Sequence, residues 1–575
     1  MFKQYFETEL TQLRTLAVEF SQANPALAPL LATSSSDPDV ERLLEGVAFL
    51  TARTRQKLDD EFPEVIQELT NLLCPHYLRP VPACTLIEFQ PKSPLTESAK
   101  VKALSEIASI PVDATVCRFR TTQELEVLPL TLQQCELIEQ AGSTPSISLQ
   151  FLDNGVDYTQ LQSSPLRLFL GNSYAEAAKL FMLLNTSVRG ISIRRNGRPV
   201  AALSASAIHC SGFDSPLLPY PGNAFSGYGL IQEFFCLPEK FLFVEIKGLH
   251  TIHKQAGATL EINFLLNKRP DWMPVINDES FLLNIAPAVN IFSHMAIPTN
   301  ADHRQAEYRI RPEGNNPEHY QIYSIDNVHG YCQGKAQPRP YLPFGVLRSP
   351  TAANPSSSGT YQVSIRPATV GNQYESFLSI PYQADQDFQD EVLSINLSCT
   401  NAHLPDKLSY GEIRNPTSTS PERLQFQNIR AVRPAQSIPA DDELQWKLLT
   451  HVAMNLLTLA TAENLRSLLS LYVFSAKQGQ HERANRQRIA GIASVHVKSE
   501  SRLVGRHMMR GQCIQMVCHS SHYAGPGDLY LFGCILERFL AGYASINTYA
   551  RLEIQDSLTE EKFVWRPRLG LQELL

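Results

Sequence analysis

At 575 residues the chain can supply about four domain-sized units, and its 43% hydrophobic and 19% charged residues exclude a disordered protein. No apolar run is long enough to span a bilayer, and Lys3, Glu7, Glu9, Arg14 and Glu19 interrupt the first twenty residues, where a secretory signal needs an uncharged core. A net charge of −7 with a pI near 6.1 gives no overall pull toward nucleic acid or anionic lipid, and eleven cysteines without a CxxC pair read as reduced thiols, so a cytoplasmic protein with protein partners is expected.

The chain opens on an amphipathic helix in which Phe6, Leu10, Leu13, Ala17 and Phe20 alternate spacings of four and three. PALAPLLATSSSD then reads as a loop. Asp37 can cap a helix starting at Pro38, with Asp39 and Glu41 on the positive end of its dipole. Val40, Leu43, Leu44, Val47 and Leu50 make one apolar stripe, the side expected to pack, while Arg42, Arg53, Arg55 and Lys57 lie mostly off it. Pro63 reopens the pattern as a second helix of this stretch with Val65, Ile66, Leu69, Leu72 and Leu73. Pro75, Pro80 and Pro82 forbid helix and hold an extended strap leading into alternating Thr85, Ile87 and Phe89.

From Thr85 to about Asp157 short strands are broken by proline and polar turns, with Phe119, Leu125, Val127 and Leu130 among them. A helix is predicted from Ser173 to Leu184, then a hairpin turning at Asn196-Gly197. Between Gly212 and Leu249 a proline-rich loop precedes an aromatic helix and a strand; Phe234, Phe235, Phe241 and Phe243 read as core and not as a sugar- or base-stacking platform. Strands joined by polar turns fill Thr259 to Gly330. Gln333 to Ser358, rich in Pro, Ser and Gly, reads as a linker or long insertion before further strands at TYQVSI and VLSINLSC. Helical spacing returns at Leu444, Leu448, Val452, Leu456 and Leu459, with another helix from Asn464 to Phe474. HERANRQR, His481 to Arg488, reads as a solvated basic loop; SVHV and CIQMV are strands, and an apolar segment follows Gly525-Pro526-Gly527. The fold class is therefore multidomain α+β: a helical segment over 1–84, a β-rich unit with one helix over 85–211, an aromatic-rich β unit over 212–335, a loop-rich β unit over 336–443 and a mixed C-terminal region over 444–575.

Chemistry-bearing motifs are missing from the sequence: no Walker A string, GxGxxG, HExxH or GxSxG occurs. His250 and His253 lack a third ligand, His303 and His319 are isolated, and Cys74 with His76 beside prolines reads as a packing hinge. Asp59, Asp60 and Glu61 are adjacent on a helix and point in different directions. No catalytic residue, cofactor or metal is expected. The alternative is a cytoplasmic carbohydrate-active enzyme, which many strands, aromatics and scattered carboxylates would suit.

Several stretches resemble the TssF family of type VI secretion baseplate subunits: DPDVERLLEG, ARTRQKLDDEFPE and PHYLRPVP near the start; LPYP, QEFF and PEKFLF in the middle; EYR and YQIYSID further on. Arg510-Gly511, Leu531-Phe532-Gly533, Glu537-Arg538-Phe539, Tyr543, Asn547 and Trp565 to Gly570 extend the resemblance to the C-terminus, with Ile291 and Ile297 as departures. The resemblance implies a structural wedge subunit, similar to phage baseplate wedge proteins, assembling with TssG, TssK, TssE and a second TssF copy to support sheath, tube and spike. It implies a baseplate docked at the inner-membrane complex, with no nucleic acid partner and no insertion into the membrane. The helical N-terminus exposes more apolar stripe than a short helical segment can bury. Phe6, Leu10, Leu13, Phe20, Leu43, Val47 and Leu50 are therefore expected to form a subunit interface edged by Arg42, Arg53 and Arg55, with partial cover from the chain's own helix around Leu531 to Tyr543.

Overall fold

The computed structural model describes residues 2–23, 38–139, 144–156, 158, 165–222, 224–252, 258–314, 316–332, 337–344, 359–368, 374–381, 390–438, 442–452, 454–473, 479–504 and 507–570. Its helices are α1 (Phe2–Ala23), α2 (Pro38–Leu73), α3 (Tyr174–Thr186), α4 (Ser226–Cys236), α5 (Asp442–Val452), α6 (Leu456–Leu459), α7 (Ala462–Ser470), α8 (Gln480–Ala490) and α9 (Pro526–Gly542).

The two helices expected on either side of Pro63 are one: α2 runs unbroken for 36 residues. A proline inside a helix forfeits one hydrogen bond and costs about 3 kcal/mol, so packing on both sides of it must hold the line. α1 and α5 both pack on α2 and supply that support. The cap expected at Asp37 and the PALAPLLATSSSD loop lie outside the described residues, as do the side chains of Asp59, Asp60 and Glu61.

α2 ends where the prolines begin, and the strap from Cys74 to Leu78 is buried throughout. Val81 and Cys84 exchange backbone hydrogen bonds with Gln436 and Arg433, so the strap is zipped to the segment that leads into α5. His76, 2% exposed, stacks among Tyr228 and Tyr472, and its Nε2 lies 3.1 Å from the Tyr472 hydroxyl. Burial, aided by Arg79, pulls its pKa down to about 4, which keeps the ring neutral.

The main core gathers around α3, α4 and α9. Ser173 caps α3, accepting from the Glu176 N–H; Phe234, Phe235, Phe241 and Phe243 are buried, as the aromatic reading expected, and Phe181 and Phe532 are buried beside them. α9 is apolar nearly all round and buried along its length, so it is a central strut. It packs on α3 and α4, and the cover it was expected to give the N-terminal helices comes instead from α5. Gly527 permits this approach: a Cβ there would sit 2.3 Å from the α3 backbone at Ala178. The basic run expected as a loop is α8, whose Arg488 is buried and pairs with Asp528 at 2.9 Å, while Tyr174 also donates to Asp528.

Sheet membership crosses the boundaries expected at residues 211 and 335. A six-stranded sheet takes Ile413–Pro416, Glu106–Val112, Thr115–Thr121, Ile285–Val289, Cys84–Pro91 and Leu424–Asn428 in that order. Its ends meet, because Asn428 Oδ1 accepts from the Ile413 N–H at 3.0 Å and its Nδ2 donates to Ser409, closing a barrel around Phe89, Phe119 and Phe426. A five-stranded sheet carries the Asn196-Gly197 hairpin, both residues at positive φ as its tight turn needs. In an eight-stranded sheet Arg339–Pro343 pairs with Gln321–Cys332, and Tyr341 is buried with its hydroxyl donating to Glu391. That part of the expected linker is thus a strand; 345–358 lies outside the described residues. The C-terminal sheet runs Ile492–Val504, His507–Cys518, Thr548–Asp556, Lys562–Val564, with Arg568–Leu569 also on Thr548–Asp556.

Candidate functional site

The expected apolar stripe of α2 does not pack within the chain. Leu43 is 69% exposed, Leu50 64% and Val47 41%, and further along Val65, Leu69 and Leu72 are exposed as well. At 3.6 residues per turn these six fall within an arc of about 100°, a ribbon roughly 40 Å long at 1.5 Å per residue. The buried positions Ala48, Ala52, Ile66 and Thr70 lie roughly a third of a turn away. Small residues therefore face inward over the first half of the helix and large ones face out. On α1, Phe6, Leu10 and Leu13 are half-buried and Leu16 is exposed.

Polar anchors mark where this arm joins the body. Gln67 on α2 donates to the Ile365 carbonyl at 2.9 Å and accepts from the Ile365 N–H at 3.2 Å, pairing with the strand Gly359–Pro367 as a neighbouring strand would. Arg42 is exposed, 3.4 Å from Asp39, and Arg53 is exposed; the side chains of Phe20 and Arg55 lie outside the described residues. The sequence reading missed Gln67 and the outward aim of Val65, Leu69 and Leu72. Spacing identifies a stripe but not which neighbour it meets, and a glutamine pairing across nearly three hundred residues leaves no local signal. Of the two departures, Ile291 is buried in the core and Ile297 is 45% exposed.

The body offers little that resembles a reaction centre. Among the described residues no group of three or more His, Cys, Asp or Glu could hold a metal ion. His319 Nδ1 lies 2.7 Å from the Thr115 hydroxyl, and none of the eleven cysteines is in a disulfide. Several buried charges are paired: Glu233 with Lys240 at 2.5 Å, Asp153 with Arg195 at 3.2 Å, and Glu239 with Arg430 and Arg433. A hydrolase reading would look to Glu537 and Glu561, both raised by burial and lining one cavity, but the Glu537 carboxylate is held by Arg568 and Arg538. No helix among the described residues is long and apolar enough to cross a membrane.

Comparison with known proteins agrees with an assembly subunit. The family described as "Type VI secretion system, TssF" matches residues 1–572. The chain is 27% identical over 617 aligned positions to the type VI secretion system component TssF1 of Pseudomonas aeruginosa, covering 99% of this chain and 98% of the relative. Its fold is similar to a chain of the TssK-TssF-TssG baseplate subcomplex solved by cryo-electron microscopy, with a TM-score of 0.76 and 26% identity over 92% of this chain and 99% of the other. It is also similar, at a TM-score of 0.61 and 23% identity with full coverage of both, to a chain of the type VI secretion baseplate complex.

Proposed function

The chain belongs to the TssF family of the type VI secretion system, and from that premise we propose that it is a structural subunit of the baseplate wedge, held to TssG and TssK through its N-terminal helical arm. The observation that carries this reading is the outward ribbon of Leu43, Val47, Leu50, Val65, Leu69 and Leu72 on a helix whose inward face holds Ala48 and Ala52. A large apolar side chain contributes about 1.5–3 kcal/mol when it leaves water, so a ribbon left bare calls for a partner's apolar face. Phe6, Leu10, Leu13 and Phe20 extend the contact along α1, and Arg42, Arg53 and Arg55 set orientation at its rim, where charges act more on specificity than on affinity.

TssE and a second TssF copy complete the proposed wedge, which supports the sheath and tube beneath a spike and docks at the inner-membrane complex. The chain performs no turnover and needs no cofactor; the carbohydrate-active alternative has no support from the family match. Purification of the tagged full chain from its native host, followed by native mass measurement, tests the proposal. Recovery of TssG and TssK in fixed ratio is expected, whereas a lone chain, or one carrying hydrolase activity, would sink it.

A further inference from the structure

A second surface, remote in sequence from the arm, is built for a different kind of contact. Lys562–Val564 is the edge strand of the C-terminal sheet. Trp565 donates to Leu552 and Asp556 donates to Glu561, so in this antiparallel pairing positions 561, 563 and 565 face the neighbouring strand. The alternate positions then point their backbone groups away from it. The N–H and C=O of Lys562 and Val564 thus face outward, with no partner among the described residues.

That edge lies beside an open trough of about 1300 Å³, which Thr559 and residues 561–566 line on one side and segments around 184–187 and 268–272 bound on others. Its lining includes the aromatic rings of Trp272, Tyr530 and Trp565, the last two stacked 5.4 Å apart. Small-molecule sites usually occupy about 300–1,000 Å³, and a larger open trough beside a free strand edge suits a length of chain. Short edges carrying lysine ordinarily discourage pairing. Here the lysine borders aromatic rings, and it is one of several cations. Lys268, Arg538, Lys562, Arg566 and Arg568 line the trough against Asp271, Glu537 and Glu561, so its charge is positive on a chain whose net charge is −7, and neither Lys562 nor Arg566 has an ion-pair partner among the described residues.

We propose that this edge receives an extended segment of another polypeptide by β-strand addition, a segment that alternates apolar residues with aspartate or glutamate. Backbone pairing with Lys562 and Val564 would hold the segment, the aromatic floor would take its apolar side, and Lys268, Lys562 and Arg566 would select its acidic side.

The full chain is titrated with a ten-residue peptide of alternating valine and glutamate, and with a valine–lysine counterpart, following affinity by fluorescence polarisation and amide exchange by mass spectrometry. The acidic peptide should bind at least about tenfold tighter than the basic one, as a difference of one or two charge-assisted contacts allows, and should slow exchange over 560–566. Val564→Pro removes an outward donor while leaving the inward ladder intact, and should weaken binding by about tenfold. If that proline disturbs the sheet, Lys268→Glu combined with Lys562→Glu tests the same site without touching the backbone, and should abolish the preference for the acidic peptide. Equal binding of both peptides, binding without protection of 560–566, or unchanged affinity in the charge-reversed chain would overturn the proposal.

Discussion

In the body of this molecule the largest side chains are the most deeply buried, and in the arm the order is reversed. Phe181, Phe234 and Phe532 around α9 are each 1% exposed, while on α2 Leu43 and Leu50 stand about two-thirds exposed and the fully buried residues among those described are the small Ala48, Ala52 and Thr70. Both regions use helices with apolar stripes. The body closes its stripes against each other and holds charged pairs such as Glu233 with Lys240 and Asp528 with Arg488 inside, each charge facing its opposite. The arm uses alanines to sit close to its own chain and presents its leucines elsewhere. A region that folds for itself and a region that folds to be covered are thus joined by one strap, Cys74 to Cys84.

If this division holds, damage to the body should destabilise the isolated chain and damage to the arm's outer face should not. The largest effect is expected at Lys240. Lys240→Ala strips the partner from Glu233, which also accepts from the Leu217 N–H at 2.7 Å and is 1% exposed. Leaving a buried charge unpaired costs about 3–5 kcal/mol, and chemical denaturation of the purified chain should show it. A loss under about 1 kcal/mol would mean the body is not held by its internal pairs.

The strap should report through pH. His76 has its folded pKa pulled from 6.5 down to about 4 by burial, so the unfolded chain binds the proton first. Stability from this group is full above about pH 6.5 and is lost as pH falls toward 4, on the order of 3 kcal/mol by proton linkage. His76→Phe should flatten that part of the stability–pH curve; an unchanged slope would show that other groups produce it.

A smaller effect is expected where arm meets body. Gln67→Ala orphans the N–H and C=O of Ile365, a local cost of about 1–2 kcal/mol, and amide exchange should quicken on Gly359–Pro367 and the end of α2 without changing in α9. Faster exchange throughout would make arm and body one cooperative unit.

The sequence carried the elements better than their company. Ser173 with its following apolar face, the Asn-Gly hairpin and the proline strap were legible because capping, turn chemistry and fixed φ act within a few residues. Pro63 misled because tertiary packing on α2 outweighs a local cost, and HERANRQR misled because Arg488 is claimed by Asp528, forty residues away. The barrel was illegible for the same reason: Ile87 lies between Ala286 and Asn428, neighbours that no spacing rule could pair. At the proposed interface Leu43, Val47 and Leu50 were legible as a stripe, but only the alanines' burial shows that the stripe faces out.

The decisive measurement is on that stripe. Leu43→Asp combined with Leu50→Asp places charges where side chains are already about two-thirds exposed, so the purified chain should keep its melting temperature. Co-expression with TssG should then recover no complex, whereas the wild-type chain recovers it. If the double variant still co-purifies with TssG at wild-type yield, or if it melts several degrees lower on its own, the ribbon is not the covered face and the account of the arm is wrong.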